Sequence, residues 1–235
     1  MNRSTRVVPA LLAALLLGGC GGTATTAAPT SPSAATTTTT TVDRAAEQEA
    51  VRKAFEDYRT ALRAKDGKAA VKVVSDEVLS WYVEMKELAL KATPERLGRL
   101  GFSTHVLVYG IRAQFGAADL RAMSSADILA ATVDKGLLDA DTLEKVELGT
   151  IVVEGETARA QFTTRDGAAT GLTLPFHKEF GLWKFDYLPL LFLGQRMVES
   201  QAERDGLTVE EVVDLTLVAT YGQERAAELK QPLEG

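Results

Sequence analysis

The sequence predicts an α+β fold in which N-terminal helices pack on a curved antiparallel meander of four strands, with further helices before and after the sheet. Three observations carry this. Val51, Phe55, Tyr58 and Leu62 recur at helical spacing in the first part of the folded region. Between Glu144 and Tyr187 the period drops to two: in "ETARAQFTT", Ala158, Ala160 and Phe162 alternate with Arg159, Gln161 and Thr163. Helical spacing then returns in "LLFLGQRMVESQAER" and beyond.

Asp43 to Lys65 reads as the first helix, with Asp43 as its cap, Gly67 as the left-handed residue that ends it, and Arg52, Lys53, Glu56 and Arg59 mostly off its apolar face. "KAAVKVVS" is a short second helix. Ser75 caps a third from Asp76 to Lys91, whose first-turn acids Asp76 and Glu77 suit the positive end of the helix dipole. Thr93-Pro94-Glu95 starts another, with proline where its missing N–H is harmless. "STHVLVYGIRAQF" is expected to be a buried helix despite its β-branched run and Gly110, and "SSADILAATVDKG" a helix with serine caps before it and Gly136 after it.

Four strands follow: "KVELGTIVV", "ETARAQFTT", "GLTLPFHKEF" and "LWKFDY". Glu154-Gly155, Asp166-Gly167 and Phe180-Gly181 supply the turns. Connections this short force antiparallel neighbours. Thr208 to Glu211, "TVEE", is a capping box that opens a last apolar helix through about Tyr221.

This order of helix, the short "ALRAKDGKAAVKVVS" corner from Ala61 to Ser75, and a later antiparallel meander resembles the nuclear transport factor 2-like superfamily, which includes ketosteroid isomerases and polyketide cyclases. The resemblance implies a cone whose sheet wraps the helices, often with an apolar pocket at its open end. The chain departs from the simple pattern in the helical stretch from Pro94 to Lys135 and in the helices after the sheet, either of which could fill that pocket. Function does not transfer on fold alone.

Strand parity turns Ala158, Ala160, Phe162, Leu172, Leu174, Phe176, Trp183, Phe185 and Tyr187 toward the helices. It puts Arg159, Gln161, His177, Glu179, Lys184 and Asp186 on the other face. Tyr58, Trp81, Tyr82, Phe162, Phe176, Trp183 and Tyr187 are then candidates to line a pocket for an apolar or amphipathic small molecule, or else to pack together as core. Arg159, Gln161 and His177 are candidates for an outer face that docks a partner, including a second copy of the chain.

The inward face nearly lacks a base, so no catalytic residue is assigned. Asp57, Asp186 and His177 enter only if parity slips by one. The alternative of an isomerase or cyclase-like enzyme using acid–base chemistry in the cone stays open, as does a purely structural envelope role.

The two histidines, His105 and His177, fall in different elements, and "DADTLE" lacks the spacing of a calcium loop, so no metal is expected. No GxSxG, GxxxxGK[ST] or GxGxxG stretch is present, and no cofactor is expected.

The N-terminal region has its own pattern. Arg3 and Arg6 precede an apolar core from Val7 to Leu17, too short for a bilayer span of ~20 residues, and small residues follow up to Cys20, the chain's only cysteine. Leu17-Gly18-Gly19-Cys20 resembles the lipobox of bacterial lipoprotein precursors. That resemblance implies cleavage after Gly19, diacylation of Cys20 and a membrane anchor at the new N-terminus, placing the protein in the cell envelope facing outside the cytoplasm.

Gly21 to Thr41, nearly all Thr, Ala, Ser, Pro and Gly, is expected to be a disordered tether, with the domain running from Val42 to Gly235. The formal charge is −6, and removing Met1 to Gly19, which holds two arginines and no acid, makes it −8. A surface this acidic disfavours nucleic acid and leaves attachment to lipid rather than to charge.

Overall fold

The computed structural model describes residues 39–138 and 141–234; the expected leader and lipobox, and the expected tether up to residue 38, lie outside the described residues. Helix α1 runs from Thr39 to Ala64, so it starts three residues inside the expected tether and Asp43 lies within it rather than at its cap. The left-handed residue after it is Lys65 (φ 52°), not Gly67.

Gly67 instead begins α2 (Gly67–Val71), which Asp66 caps through Ala69 N–H at 2.9 Å. A glycine is required there for closeness. A Cβ at 67 would sit 2.1 Å from the carbonyl oxygen of Ala130.

Ser75 caps α3 (Asp76–Lys91), and proline opens the short α4 (Pro94–Leu97). The β-branched stretch after it is helix α5 (Phe102–Gln114), buried over most of its surface, which compensates for its modest intrinsic propensity. A short α6 (Ala117–Ala122) separates it from α7 (Ser125–Asp134), where Ser124 and Asp127 form a capping box and Gly136 (φ 66°) follows the end. Helix α8 (Asp141–Glu144) leads into the sheet.

Strands β1 (Val146–Glu154), β2 (Thr157–Thr164), β3 (Ala169–Glu179) and β4 (Leu182–Phe185) form one antiparallel sheet in sequence order. Register breaks between Leu148 and Ile151 and between Gln161 and Thr163 bend it into a curled half-barrel.

The β1 edge is covered along its length and the β4 edge at its end. Along β1, Gln48 of α1 donates to the Ile151 carbonyl (2.7 Å), Arg52 to those of Leu148 and Gly149 (2.6 and 3.0 Å), and Arg59 to that of Val146 (3.0 Å). Arg52 and Arg59 therefore bind the sheet instead of facing solvent, and Arg59 is buried. Side chains that satisfy an edge's carbonyls keep it from recruiting another strand. Along β4, Phe185 N–H donates to Val73 (2.8 Å) and its carbonyl accepts from Ser75 (3.2 Å).

After the sheet, α9 (Leu188–Arg204), α10 (Val209–Tyr221, with the Thr208–Glu211 capping box) and α11 (Gln223–Leu229) complete the fold, with α9 and α10 packed on α5. Asp186 departs from the parity expectation. It is buried, because the chain leaves the strand there and its carboxylate accepts from Leu188 N–H (3.0 Å) at the start of α9.

Candidate functional site

The aromatic side chains picked from the sequence meet around Phe185, whose ring lies 5.5 Å from Phe55, 5.3 Å from Tyr58, 5.1 Å from Phe176 and 6.4 Å from Tyr187. Phe162 rests on Phe55 at 5.4 Å, and Tyr58 stacks on Tyr187 at 5.6 Å. These are contact distances for packed rings. Phe55 and Phe185 form the centre of the cluster; their periodicity marks both as inward, but nothing in either segment singles them out from other core positions.

The tyrosine hydroxyls form a small chain: Tyr187 donates to Tyr82 (3.4 Å), whose hydroxyl lies 3.1 Å from Thr132 Oγ1, and Thr132 donates to the Leu129 carbonyl (2.7 Å). Burial pushes Tyr58 and Tyr187 well above the ordinary phenol range. It raises Tyr82 too, against the opposing effect of its bonds to Thr132 and Tyr187. All three hydroxyls therefore stay neutral at physiological pH.

Tyr58, Tyr82, Phe162, Phe176 and Tyr187 are thus packed core residues, the second of the two arrangements their sequence left open. Trp81 is half-buried and leans away, edge-on to Tyr82 (5.5 Å) and to Phe192 of α9 (6.4 Å). Trp183 borders an open groove.

That groove, of about 630 Å³, lies outside the aromatic core, between α1, α2 and the β3–β4 hairpin. Its floor is a row of small side chains on α1, among them Ala46, Ala50, Ala54 and Ala61, and its wall is Leu182 and Trp183. Helix periodicity does not reveal it, because alanine reads the same whether it packs a core or floors a groove.

At one end Glu47 accepts from Lys178 Nζ and from Trp183 Nε1, each at 2.6 Å, and Lys178 lies 5.7 Å over the Trp183 ring. The Lys178 bond and then the Trp183 bond hold the Glu47 carboxyl below its usual range. Lys53, Asp57 and Lys72 also border the groove; Asp57 is paired with Lys53 (2.6 Å).

The groove also meets strand backbone that no other described residue bonds. Phe185 bonds away from β3, to Val73 and Ser75, so Trp183, two residues back, turns its N–H and C=O to the same side. Opposite Trp183 stands Lys72, the C-cap of α2, and among the described residues no strand runs there.

On the sheet's outer face Arg159 and Gln161 are exposed and border a depression of about 180 Å³ with Thr150, Val152 and Thr173, while His177 is half-buried on the same face, paired in register with Thr157. His105 lies elsewhere, buried in α5 with its Nδ1 unpartnered, and burial lowers its pKa from 6.5. Among the described residues no group of three His, Cys, Asp or Glu side chains is placed to hold a metal, and no helix is long and apolar enough to cross a membrane.

No protein-family model, curated protein or solved structure matches this chain.

Proposed function

We propose that the protein is a lipid-anchored envelope protein whose domain is a noncatalytic protein-interaction module of nuclear transport factor 2-like type. One observation carries the interaction reading. The interior that would hold a small molecule is occupied by mutually packed rings, while the roomy, amphipathic groove with free strand backbone lies outside, at Trp183. An extended segment of a partner adds to such an edge through main-chain bonds and places side chains over the alanine floor.

The anchor reading rests on the order of charge, apolar core, small residues and Cys20. The family reading rests on α1 covering a curled four-strand meander. A second reading, a homodimer through the sheet, is supported by Val152, half exposed at 51 % beside Arg159 and Gln161.

The test has two parts. Mass spectrometry of the N-terminal peptide from native protein should find diacylated Cys20; a free thiol there refutes the anchor. A photo-crosslinking residue at Ala50 should give a discrete protein adduct in the native envelope, and one at Arg159 should not. Adducts from Arg159 alone, to a second copy, favour the dimer. A copurifying small molecule without adducts overturns the interaction reading.

A further inference from the structure

The β3–β4 turn breaks two rules at one position. Phe180 is 97 % exposed, and its backbone sits at φ 51°, followed by Gly181 at φ 80°. Two-residue turns of this type favour Asn, Asp or Gly at both places, and a bulky side chain with positive φ is an outlier. Leu182, the next residue, is 63 % exposed. A residue that costs the turn stability and gains nothing from burial within the fold has its use in contact with something else.

The position of the turn says with what. α1 runs antiparallel to β1, since Gln48 bonds Ile151 while Arg59 bonds Val146. The meander then sets the start of α1, the β1–β2 turn and the β3–β4 turn at the same end of the domain. From Glu47, level with Lys178 and Trp183, α1 rises about 12 Å to Thr39. From Lys178, β3 rises about 7 Å to Phe180. The apolar turn thus stands within a few ångströms of the level at which the chain leaves toward Cys20.

We propose that the Phe180–Leu182 turn is the part of the folded domain that inserts into the bilayer surface, which rests on the reading of Cys20 as a lipid anchor. The roughly 20 residues from Cys20 to Thr39, spanning ~3 Å each when extended, join the anchor to this same end. Glu154, Glu156 and Glu179 flank the turn. Insertion is therefore driven by apolar side chains and favours uncharged over anionic lipid.

The test uses the full chain taken from its own membrane and reconstituted in phosphatidylcholine vesicles. With Cys20 acylated, a cysteine introduced by Leu182→Cys is the only free thiol, and it carries an environment-sensitive fluorophore; Arg165→Cys, on the β2–β3 turn at the opposite end, is the control. Quenching by lipid-borne nitroxides is expected at 182 and not at 165, and adding Phe180→Asp, which suits the turn's backbone, should abolish it.

Chain that floats with the vesicles while 182 is quenched no more than 165 overturns the inserted turn and leaves the anchor standing. Chain that does not float refutes the anchor and the insertion together. Protection of 182 in native envelope vesicles but not in pure lipid assigns the turn to a protein partner and overturns the lipid contact.

Discussion

Glu47 and Trp183 lie 136 residues apart in sequence and are joined by a 2.6 Å bond from the indole N–H to the carboxylate. Together with Lys178 this bond pins α1 to β4 at the mouth of the groove. Glu47→Ala should destabilise the fold by about 1 kcal/mol, the charged hydrogen bonds being discounted for partial exposure, and should change Trp183 fluorescence. Because the carboxyl is held below its usual range, its contribution is present above about pH 4.5 and is lost as pH falls through the lower folded value. Acid titration of wild type and Glu47→Gln should show a slope in the first that is missing in the second.

Arg112 is 1 % exposed and has no carboxylate partner among the described residues. Its guanidinium donates to the carbonyls of Leu88, Ala89 and Ala92, at the end of α3, and of Leu229 and Lys230, at the end of α11. Two helix C-termini, each the negative end of a dipole, thus share one cation. Arg112→Met should cost about 3–5 kcal/mol by urea denaturation, since it orphans several buried carbonyls. Arg112→Lys should recover only part, as three donors cannot reach five acceptors.

His105 is held neutral by burial, against the pull of Gly101, Glu210 and Asp214. A folded pKa below 6.5 means that the unfolded chain binds the extra proton first. Stability from this group is therefore full above pH 6.5 and falls as the pH drops below it. His105→Leu should flatten thermal stability between pH 7 and pH 5, to about the resolution of a calorimetric scan.

Gly67→Ala places a methyl 2.1 Å from the Ala130 carbonyl, and both sides of that contact are backbone. The α2–α7 packing must open to admit it, at about 3 kcal/mol. A melting temperature unchanged from wild type would show that the two helices are not in contact at this point.

Phe180→Asn should do the opposite, raising stability by about 0.5–1 kcal/mol because asparagine tolerates the left-handed turn that phenylalanine does not. Urea midpoints of the two chains compare this directly.

The local punctuation of this fold was plain in the sequence. Ser75, Ser124 and the Thr208–Glu211 box cap helices because short polar side chains reach the free N–H groups nearby, a property of neighbouring residues alone. The alternation in β2 and the turn pairs gave the meander for the same reason.

What could not be read depends on partners distant in sequence. Arg59 and Arg112 look like surface charges until β1 and the ends of α3 and α11 arrive beside them. Gly67 resembles a helix stop until Ala130 explains it. α6 and α11 are too short to show a period. The candidate site divided along the same line. The aromatics converge because their periodicity faces them inward, but whether convergence leaves a cavity or fills one depends on side-chain volumes summed over several elements, which no single stretch records.

The bonds from α1 to the sheet span 87 to 136 positions. A chain made from its amino end therefore completes this helix long before any strand that can cover it exists. Until Trp183 is released, the apolar stripe of Val51, Phe55 and Tyr58 has no permanent shelter. Birth order thus leaves the first helix waiting through most of synthesis for its cover, and the newborn chain is open to clumping and protease attack while it waits.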